Sequence, residues 1–411
     1  MRIGLLHVWN ILHLRLSLSP CAMSTEKLRK FFSGRRDLIA RIRKACGSSD
    51  GIIWFHAASF GEFEEARPVI EETRRRFPEG KILLTFFSPS GYEPLKDYPA
   101  VDWVFYLPLD FPWNAGRFLD AVRPAKAIFT LGEYWEFLLG ELRRRRIPTY
   151  ITSVRIRPDS PYLKWYGWRY RHIYRTTYSA VMTQNETAAQ LVREMGAPVV
   201  HNVGDARFDR VLEIASSPWT DPVLERWTAG RKVFVAGSTV SGGDDVMVTS
   251  LANARPEGKY LIVPHDPDPE QIGSIKSSLT VPYCLYSESE GVDTKDVPVM
   301  IVDRVGFLAK LYRYGFAAYV GAGFTTDCPH SVIEPAAYGL PVAVGPRYYQ
   351  NPHFVELMQL GAGFSFGTPE ELIAWYDSLT PERISQLGGM AKSLCESGSG
   401  ATSRIMDIIF G

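Results

Sequence analysis

The sequence has no uninterrupted apolar run long enough to cross a bilayer. Its most apolar stretch, Ile3 to Leu18, is broken by His7, Asn10, His13 and Arg15 and ended by Ser19-Pro20. It also lacks an excess of either charge: 46 Lys and Arg against 45 Asp and Glu give a formal charge of +1, so no global field draws nucleic acid to it. Paired cysteines are missing. Cys21, Cys46, Cys284, Cys328 and Cys395 are odd in number, scattered and without a C-x-x-C pair, which excludes a zinc knuckle or redox dithiol and fits a reducing compartment. Low-complexity tracts are absent too. With 45% apolar and 22% charged residues, the chain reads as folded throughout except at its ends.

What is present suggests an amphipathic start. His7, Asn10, His13 and Ser17 share one helical face, and Leu5, Val8, Trp9, Leu12 and Leu16 the other, which predicts a helix lying in a membrane interface. A signal peptide is the rival, because Ser17-Leu18-Ser19 has the form of a cleavage site, but Pro20 disfavours cutting there. A lipoprotein signal at Leu18 to Cys21 is opposed by the same proline, and a helix docked on the protein's own core is the plainer alternative. Lys27, Arg29, Lys30, Arg35, Arg36, Arg41, Arg43 and Lys44 follow. Beside an apolar anchor such a cluster suits anionic headgroups or a phosphorylated lipid; alone it is a solvated helix face.

At 411 residues the length suits two domains. From residue 52 short apolar runs alternate with amphipathic stretches: 52–55, 81–87, 127–131, 149–153, 180–183 and 199–203, then 233–236, 260–263, 299–302, 317–320, 341–344 and 363–366. This is the pattern of βαβ units and parallel sheets. Ser216-Ser217-Pro218 and Asp221-Pro222 interrupt it. The expected division is an N-terminal segment 1–48, a Rossmann-like domain 49–204, a linker 205–230, a second Rossmann-like domain 231–380 and a helical tail 381–411, with a cleft between the two domains.

Ligands of open α/β sheets sit beyond the carboxyl ends of the strands, so the residues directly after the apolar runs carry the chemistry. After the first run, His56-Ala57-Ala58-Ser59-Phe60-Gly61-Glu62 opens a helix. Small residues such as Ser59 and Gly61 there allow close approach of a substrate. Glu62 suits a general base for a hydroxyl within reach, or equally a residue favoured at a helix N-terminus by the dipole. The third run leads to Glu133-Tyr134-Trp135, a second carboxylate on the same edge. The fourth leads to Arg155 and Ser160, which suit an anionic sugar or an exposed loop. In the second half, Gly237-Ser238-Thr239 places small and hydroxyl groups where backbone N–H groups meet phosphate. The run Val320 to Pro346 has a glycine loop, a helix opening near His330-Ser331 and a carboxylate at Glu334, suited to a nucleotide, or else a plain strand–loop–helix–strand unit.

The His-Ala-x-Ser-x-Gly-Glu stretch at 56–62, Glu133-Tyr134-Trp135, the Val-Gly-Asp-x-x-Phe-Asp stretch at 203–209 and the glycine loop leading to Glu334-Pro335-Ala336 occur in one order. In that order the chain resembles the transferases of 3-deoxy-D-manno-octulosonic acid (Kdo), glycosyltransferase family 30, over most of its length. The resemblance implies a GT-B fold of two facing Rossmann-like domains, the first for the acceptor and the second for the donor. It also implies inverting transfer of Kdo from CMP-Kdo to lipid IVA, on the cytoplasmic side of the inner membrane, without metal or cofactor. By resemblance Glu62 is the general base, Glu133 stabilises the transition state, and Arg207, where the family has lysine, stabilises the departing CMP. Asp205 replaces the family's Asn.

The donor half departs from the family pattern at expected CMP contacts. The usual Gly-Ser-Thr-His is Gly237-Ser238-Thr239-Val240, and Pro-Arg-His-Pro is Pro264-His265-Asp266-Pro267. Gly-Glu-Leu is Gly306-Phe307-Leu308, and His-Asn is His330-Ser331. Alternatives are a UDP-sugar transferase or 2-epimerase of the same fold, or a membrane-tethered binding protein without activity.

Overall fold

The computed structural model describes residues 25–132, 134–325 and 328–411. They form two α/β units, one running to Arg207 and completed by Gly400–Gly411, the other Phe208–Ser399. The segment 3–18, expected to lie in a membrane interface, falls outside the described residues. No helix among the described residues is long and apolar enough to cross a membrane.

The first unit is a seven-stranded sheet of β1 (Ile52–Ala57), β2 (Ile82–Phe86), β3 (Trp103–Tyr106), β4 (Pro124–Thr130), β5 (Thr149–Val154), β6 (Ala180–Thr183) and β7 (Val200–Asn202). Their order is β3-β2-β1-β4-β5-β6-β7, and every pair is parallel. Continuous apolar runs form such strands because helices cover both faces, and all six residues of β1 are buried. Alternation then sorts them. Trp54 points to a core with Phe118 and Phe129, whereas Phe55 points to the opposite core with Phe63, Leu84, Ile405 and Met406. The last two come from the Ala401–Phe410 helix, so the end of the chain seals the first sheet. Truncating one such fully buried side chain to alanine costs about 2–5 kcal/mol.

In the second unit the strands are β8 (Val233–Thr239), β9 (Tyr260–Pro264), β10 (Tyr283–Leu285), β11 (Val299–Ile301), β12 (Gly315–Val320), β13 (Val342–Val344) and β14 (Gly363–Ser365). They are again parallel throughout, in the order β10-β11-β9-β8-β12-β13-β14. All twelve expected apolar runs contain strands; β3 and β10 are additional. The stretch 205–230 holds two helices, Arg207–Ser216 and Pro222–Thr228. Phe208 and Val211 of the first pack with Val320 and Ile333, and Leu224 and Trp227 of the second pack with Val233 and Leu261.

The basic stretch 27–44 runs through the helices Thr25–Ser33 and Leu38–Cys46, the second of which buries Leu38, Ile42 and Cys46 against the first sheet's core. Arg36, Arg41, Arg43 and Lys44 are exposed. Arg35 is turned inward instead. Its guanidinium lies 3.9 Å from the Phe31 ring centroid and 4.7 Å from that of Tyr106, and donates to the carbonyls of Leu107 and Phe87. Burial lowers its pKa to about 9. It holds the first helix onto the unit and is not part of a headgroup-facing surface.

Candidate functional site

The strand order reverses between β1 and β4 in the first sheet and between β8 and β12 in the middle of the second, a sheet in which β10 and β11 are also exchanged at the edge. In open α/β sheets the loops that leave such strands diverge, and ligands bind at the carboxyl edge there.

On the first sheet, β1 runs through Ala58-Ser59 into the Phe60–Arg76 helix. Ser59 is its N-cap: the hydroxyl accepts from the Glu62 N–H at 3.5 Å and donates to Glu62 Oε2 at 3.2 Å. The helix start therefore orients the Glu62 carboxylate, which remains partly exposed. A Cβ at exposed Gly61 would meet no atom within 4 Å, so the backbone beside Glu62 is open to approach.

β4 is followed by Leu131, whose φ of 69° is left-handed, an uncommon conformation for a residue other than glycine. Glu133 itself lies outside the described residues. Trp135, two positions on, packs edge to face on His56 at 5.6 Å and lies 4.9 Å from Phe87, so the motifs that follow β1 and β4 meet. His56 is buried, with Nδ1 3.0 Å from the Thr85 carbonyl and 2.9 Å from its hydroxyl. That places a proton on Nδ1.

Arg155, directly after β5, joins a cluster that the motifs alone do not reveal. Its Nη2 lies 3.4 Å from Glu65 Oε1, and Arg207 Nη2 approaches the same oxygen at 3.4 Å. Gln184, after β6, donates to Glu65 Oε2 at 2.6 Å. Arg207 is held further by Asp205, with Nη2 2.6 Å from Oδ2 and Nε 3.1 Å from both oxygens. Glu65 and Asp205 are buried and the two guanidiniums partly exposed. Ser160 stands apart, its hydroxyl accepting from the Tyr162 N–H at the start of a short 3₁₀ turn.

On the second sheet, Gly237, Ser238, His265, Leu308 and His330 come together. A Cβ on Gly237 would lie 2.1 Å from the Tyr312 hydroxyl and 3.1 Å from Leu308, so any larger residue would have to displace Tyr312. A Cβ on Gly321, after β12, would lie 2.2 Å from the Ser238 carbonyl, so the two loops touch through backbone. Asp244 ties them: it accepts from the Val240 N–H at 3.0 Å, the Ala322 N–H at 2.6 Å and the Tyr319 hydroxyl at 2.7 Å. Burial raises its pKa against the pull of those donors.

The ring of His265, which follows Pro264 at the end of β9, stacks on His330 at 4.1 Å and 12°. Burial, then the neighbouring His265, lowers the His330 pKa to about 4. A neutral imidazole results, able to donate one hydrogen bond and accept another. Glu334 is in the short Ile333–Ala337 helix, near enough that its charge adds to burial in holding the Tyr312 phenol well above its ordinary range. Gly306 has φ 101°, and Phe307 packs on Tyr286 at 5.3 Å. Ser331 is exposed. Among the described residues no group of three or more His, Cys, Asp or Glu is arranged to hold a metal ion.

Sequence reasoning missed Glu65, Gln184 and Asp244. Glu65 sits in Glu62-Phe63-Glu64-Glu65, which reads as a solvated face; Asp244 had a signal, as an acidic residue in the first turn of a helix behind Gly242-Gly243.

Residues 30–210 match the family described as 3-deoxy-D-manno-octulosonic-acid transferase (kdotransferase). The 3-deoxy-D-manno-octulosonic acid transferase of Haemophilus influenzae is 25% identical over 378 residues, 89% of this chain and 88% of that protein. The enzyme of the same name from Aquifex aeolicus is also 25% identical, over 85% of this chain and 90% of its own length. Among solved structures, UDP-GlcNAc 2-epimerase from Neisseria meningitidis bound to UDP-GlcNAc superposes with a TM-score of 0.61 at 14% identity, covering 88% of this chain and 99% of that one. At that identity the likeness speaks for the fold alone, which is the two-domain GT-B architecture.

Proposed function

Because the chain belongs to the Kdo transferase family of glycosyltransferases, we propose that it moves Kdo from CMP-Kdo to lipid IVA with inversion and without a metal. The observation that carries this reading is the Ser59–Glu62 pair on the loop leaving β1, at the point where the strand order reverses. A carboxylate so oriented, partly exposed and beside an open backbone, suits a general base.

In the proposed reaction Glu62 takes the proton of the acceptor hydroxyl as its oxygen attacks the anomeric carbon of Kdo. The bond from that carbon to the CMP phosphate breaks, and CMP leaves with the electron pair. Glu133 stabilises the charge that develops on the sugar. The acceptor is assigned to the first unit, to Ser59, Gly61 and Arg155 in the segments that follow β1 and β5 and to Ser160 further along the second of them. The donor is assigned to the second, where the backbone around Gly237 and Ser238 meets phosphate and the His265–His330 stack, Pro264, Gly306, Phe307, Leu308, Ser331 and Glu334 surround the nucleotide. Arg207 is proposed to act on the departing phosphate through its charge, although Asp205 and Glu65 already hold its guanidinium. The segment 3–18 and the exposed cations of 27–44 are assigned to the cytoplasmic side of the inner membrane.

Full-length protein incubated with CMP-Kdo and lipid IVA is expected to yield a Kdo-bearing lipid and free CMP in equal amounts, read by mass spectrometry. Consumption of a UDP-sugar with no Kdo product would contradict the proposal.

A further inference from the structure

Beyond β5 the chain enters a surface segment that combines exposed aromatic side chains with cations. Between Ser160 and Asn185 there is no Asp or Glu, while Lys164, Arg169, Arg171 and Arg175 supply positive charge. Within it, Trp165 is 85% exposed, Trp168 58% and Tyr166 55%. Three large aromatic side chains turned into water within four positions are costly for a surface that faces only solvent.

The segment is firmly built. Two 3₁₀ turns, Pro161–Leu163 and Trp165–Gly167, lead into the Trp168–Thr176 helix. The Arg171 guanidinium donates to the carbonyls of Tyr162 at 3.2 Å and Lys164 at 2.7 Å. A Cβ on Gly167 would lie 2.4 Å from the Tyr162 carbonyl, so glycine is required where the turn folds back. Underneath, Tyr170 packs on Tyr162 at 4.3 Å and on Tyr134 at 4.0 Å, which seats the aromatic tip directly on the loop that follows β4.

We propose that Trp165, Tyr166 and Trp168 form a rigid wedge that enters the headgroup layer of a bilayer bearing anionic phospholipid, separate from the segment 3–18. The chemistry of the patch selects this occupant. The most exposed side chains are Trp and Tyr, which combine an apolar body with a polar handle and settle at the headgroup level, rather than the purely aliphatic side chains of a protein-binding core. Arg169 is paired with Glu136 at 2.9 Å, and the exposed Lys164 and Arg175 are the cations of this segment that match lipid phosphate. Arg143, on the adjoining Glu136–Arg144 helix, is exposed and bonded to His172 and Thr176, with no carboxylate partner among the described residues. Because Tyr134 belongs to this packing, the wedge would bring the β4 loop to the lipid surface. The inference deepens the membrane assignment of the proposed function and is independent of the sugar transferred.

The test is hydrogen exchange of the full chain with vesicles of phosphatidylcholine alone and of phosphatidylcholine with phosphatidylglycerol. Protection of residues 160–176 is expected only with the anionic vesicles. The triple variant Trp165→Ser, Tyr166→Ser, Trp168→Ser is expected to lose that protection and to partition on the order of tenfold less onto them. It should keep its thermal midpoint and its transfer to acceptor dispersed in detergent. Protection confined to residues 27–44, or unchanged partition of the variant, overturns the proposal. So does concentration-dependent self-association of the wild type that the variant abolishes, because the patch would then be a contact between copies. Failure of Kdo transfer alongside protection of 160–176 would instead overturn the sugar assignment and leave the wedge standing.

Discussion

Arg207 lies where two buried carboxylates meet, and its environment depends on residues distant in sequence. Asp205 holds it side-on and Glu65 from across the unit, with Arg155 and Gln184 sharing the Glu65 carboxylate. Removing one partner of a fully buried ion pair costs about 3–5 kcal/mol, and since both guanidiniums reach solvent here, about 2 kcal/mol is expected for Glu65→Ala. Urea unfolding checks this, and Glu65→Gln, which keeps a hydrogen-bonding oxygen, should recover part of the loss. Arg207→Lys should weaken the same cluster, because a lysine cannot make the side-on contact with Asp205. Arg207 was singled out through its motif, but its place in this cluster was not. Glu65 was not, because neighbouring Glu64 offers the same chemistry and only the packing of the helix separates the two.

His330 gives a pH dependence at the same scale. Its pKa of about 4 in the fold lies below the ordinary 6.5, so the folded protein binds fewer protons than the unfolded chain between those values. The contribution is fully present above pH 6.5 and is lost as the pH falls toward about 4. His330→Asn should therefore lose less thermal stability over that window than the wild type, and the His330 ring should show no NMR titration above pH 6.

At the scale of elements, the close approach at β8 makes a sharp prediction. Gly237→Ala forces a methyl group onto the Tyr312 hydroxyl and should cost about 1–3 kcal/mol by overpacking. Adding Tyr312→Phe removes the atom struck first and should return part of that stability in calorimetry. If Tyr312→Phe fails to restore any, the strain lies elsewhere in the loop. The central strands were readable because burial on both faces demands continuous apolar runs. β3 and β10, edge strands of four and three residues, were not read, whereas β7 and β14, three residues each at the opposite edges, were. The helices at 207–216 and 222–228 were hidden by the turn signals Ser216-Ser217-Pro218 and Asp221-Pro222, which end one helix and cap the next. Arg35 was read as one more surface cation, and nothing in its local sequence separates it from Arg36.

Across the whole molecule, two sheets of the same kind each carry motif residues at their point of strand reversal. The proposed division of labour between acceptor and donor rests on resemblance alone. Composition and periodicity specify parallel sheets, but the identity of a ligand depends on side chains gathered from many loops. In the second unit several of those are changed: His265 now stacks on His330, and Phe307 packs on Tyr286.

The most direct test of Glu62 as the base is the single-turnover rate of Kdo transfer by Glu62→Gln, with CMP-Kdo affinity measured calorimetrically on the same preparation. Glutamine keeps an oxygen to accept from Ser59 but cannot take the acceptor's proton. The account predicts a fall of at least about 10²-fold in the rate, with CMP-Kdo binding and thermal midpoint unchanged. Transfer at the wild-type rate by Glu62→Gln would contradict it.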